Sequence, residues 1–366
     1  MTSSIKAKPT IYEISPYVGG ESKGADGQRI IKLSSNEGPF GPSPKAIEAL
    51  KNMSADMHRY PDGGCTELRA ALAVKNNIPA KNIVCGAGSD EIISILCHSY
   101  VGQGDEVIHS AHGFLMYAIY TKTSGGTPIS VPEKNLRADI EAMANAVTDK
   151  TKIVFLANPN NPTGAYLKRD EVLALHAKLP KSVILVLDAA YAEYVDDPDY
   201  TAGHDLVALH DNIVVTRTFS KAYGLGGMRL GWGHCPDDIA DVMNRARGPF
   251  NVSSSAQIAG LASLHDEGFL QRSIAHNKEC REWTKGQLES LGLIVHPSAG
   301  NFLLVGFGSA EKAESTRVAL KEKGILIRQM GGYGLPECLR ITIGTAEEME
   351  LTVQGIRDLT PSPSHS

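Results

Sequence analysis

Thr216-Arg217-Thr218-Phe219-Ser220-Lys221-Ala222-Tyr223-Gly224-Leu225-Gly226-Gly227-Met228-Arg229 is the stretch on which the reading of this chain turns. It follows a short apolar run, Ile213-Val214-Val215, which reads as a buried strand. One lysine then sits among small and hydroxylated residues, and Arg229 closes the stretch. A lysine at a strand end, among residues too small to hide it, can form a Schiff base with a carbonyl. The same residues also suit a solvated lysine in a turn, and this segment alone favours that plainer reading.

Two earlier stretches shift the balance. Asn158-Pro159-Asn160-Asn161-Pro162-Thr163-Gly164 follows the apolar run Ile153-Val154-Phe155-Leu156. Asp188 ends the run Val183-Ile184-Leu185-Val186-Leu187, with Tyr191 just beyond. Apolar runs alternating with helical patterns predict a mainly parallel sheet covered on both faces, an α/β fold. Ligands of such sheets gather beyond the carboxyl ends of the strands. Asn161, Asp188 and Lys221 all follow a predicted strand end, so pattern alone draws them together.

An asparagine turn, an Asp with a following Tyr, and a Ser-Lys with a following Arg, in that order, resemble the fold-type I pyridoxal-phosphate (PLP) aminotransferases. Within them the likeness is to the histidinol-phosphate aminotransferases. It is carried also by Ser34-Ser35-Asn36-Glu37, His58-Arg59-Tyr60-Pro61-Asp62-Gly63, Gly86-Ala87-Gly88-Ser89-Asp90-Glu91 and Leu339-Arg340-Ile341-Thr342-Ile343-Gly344-Thr345, and it covers nearly the whole chain. Each motif alone is weak; together and in family order they are specific. Two departures stand out. Gly38 occupies a position where the family has asparagine, and the family proline near Ala111 is missing.

The resemblance implies an irregular N-terminal arm over residues 1–44 that joins the small domain and the partner subunit. It implies a large PLP-binding domain over 45–265 and a smaller α+β domain over 266–366. Lys221 would form the resting Schiff base and carry the substrate α-proton. Asp188 would pair with the pyridinium N–H, and Asn161 and Tyr191 would hydrogen-bond the ring oxygen. Phe114 would lie against the ring face. Gly88, Ser89, Asp90, Thr218, Ser220 and Arg229 would hold the phosphate, with Tyr60 reaching the same group in the neighbouring subunit of a homodimer. Tyr17, Asn36, Asn161, Arg328 and Arg340 would meet the substrate, Arg340 through its carboxylate and Arg328 through a distal phosphate. Tyr17 reads equally as a surface tyrosine. The implied reaction moves an amino group between histidinol phosphate and 2-oxoglutarate in histidine biosynthesis. The alternatives are an aromatic amino-acid aminotransferase and a PLP-dependent decarboxylase of a phosphorylated amino acid.

Some features stand without the resemblance. Gly86-Ala87-Gly88 follows the strand-like Asn82-Ile83-Val84-Cys85 and precedes a helical pattern, the geometry that presents free N–H groups to an anion. Glu91 stands where a dinucleotide motif needs its third glycine. His109 and His112 lack an H-E-x-x-H pattern or an acidic third ligand, so a metal site is not expected.

Composition agrees with an ordinary cytoplasmic enzyme. The 366 residues carry a net charge of −5, so no basic excess points to nucleic acid or an anionic membrane. No apolar run reaches spanning length, and the opening Met1–Lys6 lacks a signal-peptide core. Six scattered cysteines without a C-x-x-C pair read as reduced thiols, Cys85 and Cys97 in the core. Helices are expected at Pro44–Leu50, Thr66–Ala73, from Ser89, Leu136–Val147, Leu167–Leu179, Asp237–Arg245, from Ser253, Glu267–Leu291, Glu311–Lys323 and Glu347–Leu359. The Pro/Ser tail from Thr360 is expected to fray.

Overall fold

The computed structural model describes residues 5–22, 29–53 and 57–359. Most of the opening Met1–Lys6 segment and the tail from Thr360 lie outside them.

Seven strands form one sheet: β2 (Ile83–Gly86), β3 (Glu106–Ser110), β4 (Thr127–Val131), β5 (Thr151–Ala157), β6 (Ile184–Asp188), β7 (Ile213–Thr218) and β8 (Gly231–His234). Their order is β2-β8-β7-β6-β5-β3-β4. β3 to β7 run parallel, and β8 is antiparallel to both its neighbours. Because β8 is reversed, β2 points the same way as β7, and its carboxyl end meets the others on one edge.

The apolar runs are continuous because each strand serves two cores. Successive side chains point to opposite faces. Ile153, Phe155, Ile184, Val186 and Val214 pack on one face with Ile93, Leu96 and Met243. Val154, Leu156, Leu185, Leu187, Ile213 and Val215 pack on the other with Val172 and Leu175. Each fully buried aliphatic of this kind contributes roughly 1.5–3 kcal/mol.

A second sheet takes β1 (Ile31–Leu33), β9 (Ile294–His296), β10 (Phe302–Gly306), β11 (Ile325–Gln329) and β12 (Cys338–Thr342), in the order β1-β11-β12-β10-β9. β1 lies parallel to β11, with Ile31 opposite Ile325. The segment expected to be irregular therefore contributes a strand. Helix Glu267–Ser290 crosses to this sheet as one continuous element, and helices Ala310–Glu322 and Ala346–Arg357 complete its core. Thr345 and Glu348 form a capping box at the start of the last helix.

Strands β1, β4, β8 and β11 and helix Met116–Ser124 are additions to the elements expected from sequence. β8 is Gly-Trp-Gly-His, whose glycines carry no strand signal, and β4 contains Pro128, tolerated because β4 is the sheet edge. The expected helix Leu136–Val147 shrinks to Ile140–Asn145. Asn135 and Leu136 have positive φ, Lys134 and Arg137 bridge antiparallel, and the Asp139 side chain caps the helix start.

All six cysteines are free and buried. Among the described residues no helix is long and apolar enough to cross a membrane.

Candidate active site

The carboxyl edge of the large sheet opens into a cavity of about 430 Å³. Of the residues singled out from sequence, Tyr17, Gly88, Ser89, Asp90, Phe114, Asn161, Asp188, Tyr191, Thr218, Ser220, Lys221 and Arg229 line it. Asn36, Tyr60, Arg328 and Arg340 do not.

Lys221 follows β7 and is held low in the cavity. Its Nζ donates to Ser35 O at 3.3 Å and lies 5.8 Å from the Tyr191 ring centre. Burial first, and the Arg340 cation second, bring its amine down from 10.5 to about 8. A free amine is thus within reach near neutral pH, as a nucleophile or proton carrier requires. Gly38 lies against this loop: a Cβ there would sit 3.1 Å from Lys221 O, tighter than ordinary contact. The departure at Gly38 thus lets the 37–40 segment pack on the lysine.

Asp188 ends β6 and is 6% exposed. Its Oδ2 accepts from Tyr117 Oη at 2.6 Å and its Oδ1 from Thr216 Oγ1 at 3.0 Å. Burial pushes its carboxyl above the ordinary range, against those hydrogen bonds. Tyr191 lines the same cavity, its phenol pushed up to about 12 by burial. Asn36 sits behind it, donating from Nδ2 to Tyr191 Oη at 2.9 Å while its Oδ1 accepts from Thr342 Oγ1. Its observed contact is therefore with Tyr191.

The turn after β2 delivers helix Ser89–Tyr100, whose first N–H groups have no partner within the helix. Thr218 Oγ1 donates to Ser220 Oγ at 3.0 Å, and Arg229 lies beside Gly88 with its guanidinium on Gly226 O. Glycine at 231 is required here, because a Cβ would fall 2.1 Å from Ser89 N. One end of the cavity thus offers hydroxyls, a helix N-terminus and a guanidinium, a cradle for a phosphate. The Asp90 carboxylate does not fill it: Oδ2 accepts from Tyr120 Oη at 2.9 Å and Oδ1 is buried without a partner. The Lys221 amine and the Asp188 carboxylate line the same cavity, so the three groups together could serve an aldehyde, a phosphate and a basic ring nitrogen. The donor set fits PLP.

Arg340 backs Asn161 at the cavity wall. It is 5% exposed, donating to Asn161 Oδ1 at 2.5 Å and Ser34 O at 3.0 Å, with Nε buried and unpartnered. Among the described residues it has no ion-pair partner. Arg328 stands directly opposite it in the β11–β12 register, a pairing that puts both side chains on one face. Yet Arg328 donates to Val18 O at 2.7 Å and borders a neighbouring cavity of about 540 Å³. Tyr17, 51% exposed, lines both cavities. Tyr60 is 82% exposed and stacks on Phe250 with ring centres 4.6 Å apart, turned outward from this chain's own cavity. His109 and His112 each hold a backbone carbonyl, Ser110 O and Tyr333 O.

Tyr117, Thr216, Ser35 and Glu37 belong to the site but were not singled out from sequence. Thr216 was findable, being two residues before Thr218 on one strand face. Tyr117 follows Phe114 at helical spacing, but its helix had no clear periodic signal.

A lysine, an aspartate and an anion cradle on the carboxyl edge of such a sheet define a PLP-dependent enzyme of fold type I. Residues 28–356 match the family model for aminotransferases of class I and II, and the chain belongs to that family. It is 53% identical over 353 residues to histidinol-phosphate aminotransferase of Paramagnetospirillum magneticum, covering 96% of this chain and 97% of that protein. It is 52% identical over 360 residues to the protein of that name from Rhodospirillum rubrum, covering 97% and 98%. Among solved structures, histidinol-phosphate aminotransferase from Sinorhizobium meliloti in complex with pyridoxal-5'-phosphate superposes with a TM-score of 0.89 at 29% identity, over 98% of this chain and 99% of that one.

Proposed function

We propose that this chain transfers an amino group between histidinol phosphate and 2-oxoglutarate, giving imidazole-acetol phosphate and glutamate, in L-histidine biosynthesis in the cytoplasm. The names of the relatives support this reading. The observation that carries it is Arg340: a buried guanidinium with no carboxylate partner among the described residues, backing the wall of the cavity. A buried cation without an anion is unfavourable, and a substrate carboxylate would supply one in the two-pronged geometry guanidinium favours.

Bound PLP supplies an electron sink for the pair left when the substrate α-proton departs. The chain's residues do the rest. Lys221 Nζ takes the α-proton and returns it. Asp188 would pair with the cofactor's ring nitrogen, Asn161 and Tyr191 would hydrogen-bond its ring oxygen, and Phe114 would lie against the ring, all four lining the one cavity. Thr218, Ser220, Arg229 and the Gly88-Ser89-Asp90 turn would hold its phosphate. Arg340 binds the carboxylate of glutamate or 2-oxoglutarate. The distal phosphate of histidinol phosphate reaches past Tyr17 to Arg328. The division into an arm over 1–44, a large domain over 45–265 and a small one over 266–366 follows the same reading. The separate sheets support it, as does β1, which ties the arm to the small sheet.

The test is a substrate panel of histidinol phosphate, phenylalanine, tyrosine and O-phosphothreonine, run on wild type and Arg328→Ala. Histidinol phosphate is expected to lead. Arg328→Ala should lower its kcat/KM by about tenfold, as for loss of a charge-assisted contact at a half-exposed site, and leave phenylalanine little changed. A wild-type preference for phenylalanine would refute the proposal, and equal losses on both substrates would make Arg328 structural.

The same reading makes the enzyme a homodimer in which Tyr60 completes the partner's phosphate cradle, consistent with its outward ring. Mixing Lys221→Ala chains with Tyr60→Phe chains should raise activity above that of either variant alone, because each hybrid dimer holds one site with both residues intact. No gain on mixing, with hybrids verified by mass, would rule out the shared site.

A further inference from the structure

Asp188 meets the cavity with both carboxylate oxygens already engaged from behind. Tyr117 Oη donates to one and Thr216 Oγ1 to the other, and the Ala190 N–H adds a backbone bond. These donors are rigidly held. The Tyr117 ring lies face to face on Phe155, with centres 4.5 Å apart and planes 4° apart, and meets Phe114 edge-on at 5.7 Å. It is 1% exposed, and Thr216 is wholly buried within β7. Burial, and then the charge of Asp188, push the Tyr117 phenol well above its ordinary value, so it stays a donor.

Two opposing effects therefore act on Asp188. Burial favours the neutral acid, and the Asp90 charge adds to that. The Tyr117 and Thr216 hydroxyls and the Ala190 N–H favour the carboxylate. A carboxylate facing a pyridine-type nitrogen shares one proton with it. Where that proton resides depends on which of the two bases is better stabilised.

We propose that Tyr117 and Thr216 are positioning residues that hold Asp188 as a carboxylate, so that the shared proton stays on the ring nitrogen of the cofactor. Remove both hydroxyls, and the N–H bond breaks as an O–H bond forms on Asp188. A pyridinium–carboxylate pair becomes a neutral pyridine–acid pair, with no other atom or electron pair transferred. The neutral ring withdraws electrons less strongly, so proton abstraction by Lys221 slows while substrate binding is little affected. The inference rests on the PLP reading given above.

The test loads the enzyme with PLP labelled with ¹⁵N at the ring nitrogen and reads that nitrogen by NMR. The proteins are wild type, Tyr117→Phe, Thr216→Val, the double variant, Thr216→Ser and Asp188→Asn. Tyr117→Phe keeps the ring stack, and Thr216→Ser keeps the hydroxyl. Wild type and Thr216→Ser are expected in the pyridinium range. The double variant should move to the pyridine range with Asp188→Asn, and the single variants part of the way. Should the double variant not fold, the single variants carry the test. In parallel, kcat should fall about ten- to a hundredfold, the worth of hydrogen bonds to a charged group, with KM for the amino donor nearly constant. A pyridinium signal retained in the variants, beside a shifted one in Asp188→Asn, overturns the proposal and leaves the cofactor reading intact. Failure of wild type to bind the labelled cofactor overturns both.

Discussion

Replacing Lys221 with alanine is expected to reduce transamination by at least about 10²–10⁴-fold, the usual worth of a positioned proton carrier alone. In the proposed reading the amine also joins the cofactor, so the loss should exceed that range. Its environment sharpens the expectation. Burial and the Arg340 cation disfavour the ammonium form, so the amine gives up its proton near pH 8, where an ordinary lysine would wait until about 10.5. In cofactor-free protein, Lys221 should therefore become half-reactive toward an acylating reagent at about pH 8, well before the surface lysines. Borohydride treatment of the loaded enzyme should fix the cofactor to the same residue. Peptide mapping that finds the label on another lysine would remove Lys221 from its assigned role.

Arg340→Met should separate activity from stability. If Arg340 binds the substrate carboxylate as proposed, losing that buried charge-assisted contact removes roughly 2–5 kcal/mol. The kcat/KM for glutamate and for 2-oxoglutarate should then fall by tens to thousands of fold, about tenfold per 1.4 kcal/mol. Arg340→Lys should recover only part of this, because an ammonium lacks the two-pronged fork. Thermal unfolding of the cofactor-free protein should respond in the opposite sense. A guanidinium buried without an anion among the described residues, its Nε unpartnered, destabilises the fold that holds it. Methionine of similar volume should leave the Tm unchanged or raise it. A clear drop in Tm with unchanged kcat/KM would make Arg340 a structural residue.

The chemistry was more legible in the sequence than the frame around it, for a physical reason. Lys221, Asp188 and Asn161 each follow an apolar run long enough to be read as a strand, and strand ends converge in a parallel sheet. Elements without such a run escaped notice. β8 is half glycine, and its meaning lies in contact, since Gly231 must clear Ser89 N. β1 gains its place only by pairing with β11, almost 300 residues along the chain. Tyr117 escaped because its partner Asp188 lies 71 residues away, and no local spacing announces such a bond. Arg328 and Arg340 could be matched by resemblance, but the sequence did not foretell that Val18 O would hold one of them.

The alternation of side chains along the strands reaches into the chemistry. Ala157, Asp188 and Thr218 have the same parity as Phe155, Val186 and Val214, and so continue one of the two core faces out to the cavity. The catalytic edge is thus phased with the hydrophobic interior. Adding or removing one residue within β6 would turn Asp188 toward the opposite layer even with every apolar residue retained, whereas a change outside the strands leaves the phase untouched. For this enzyme, the count of residues along a strand, taken modulo two, is as much a part of the active site as the side chains that line it.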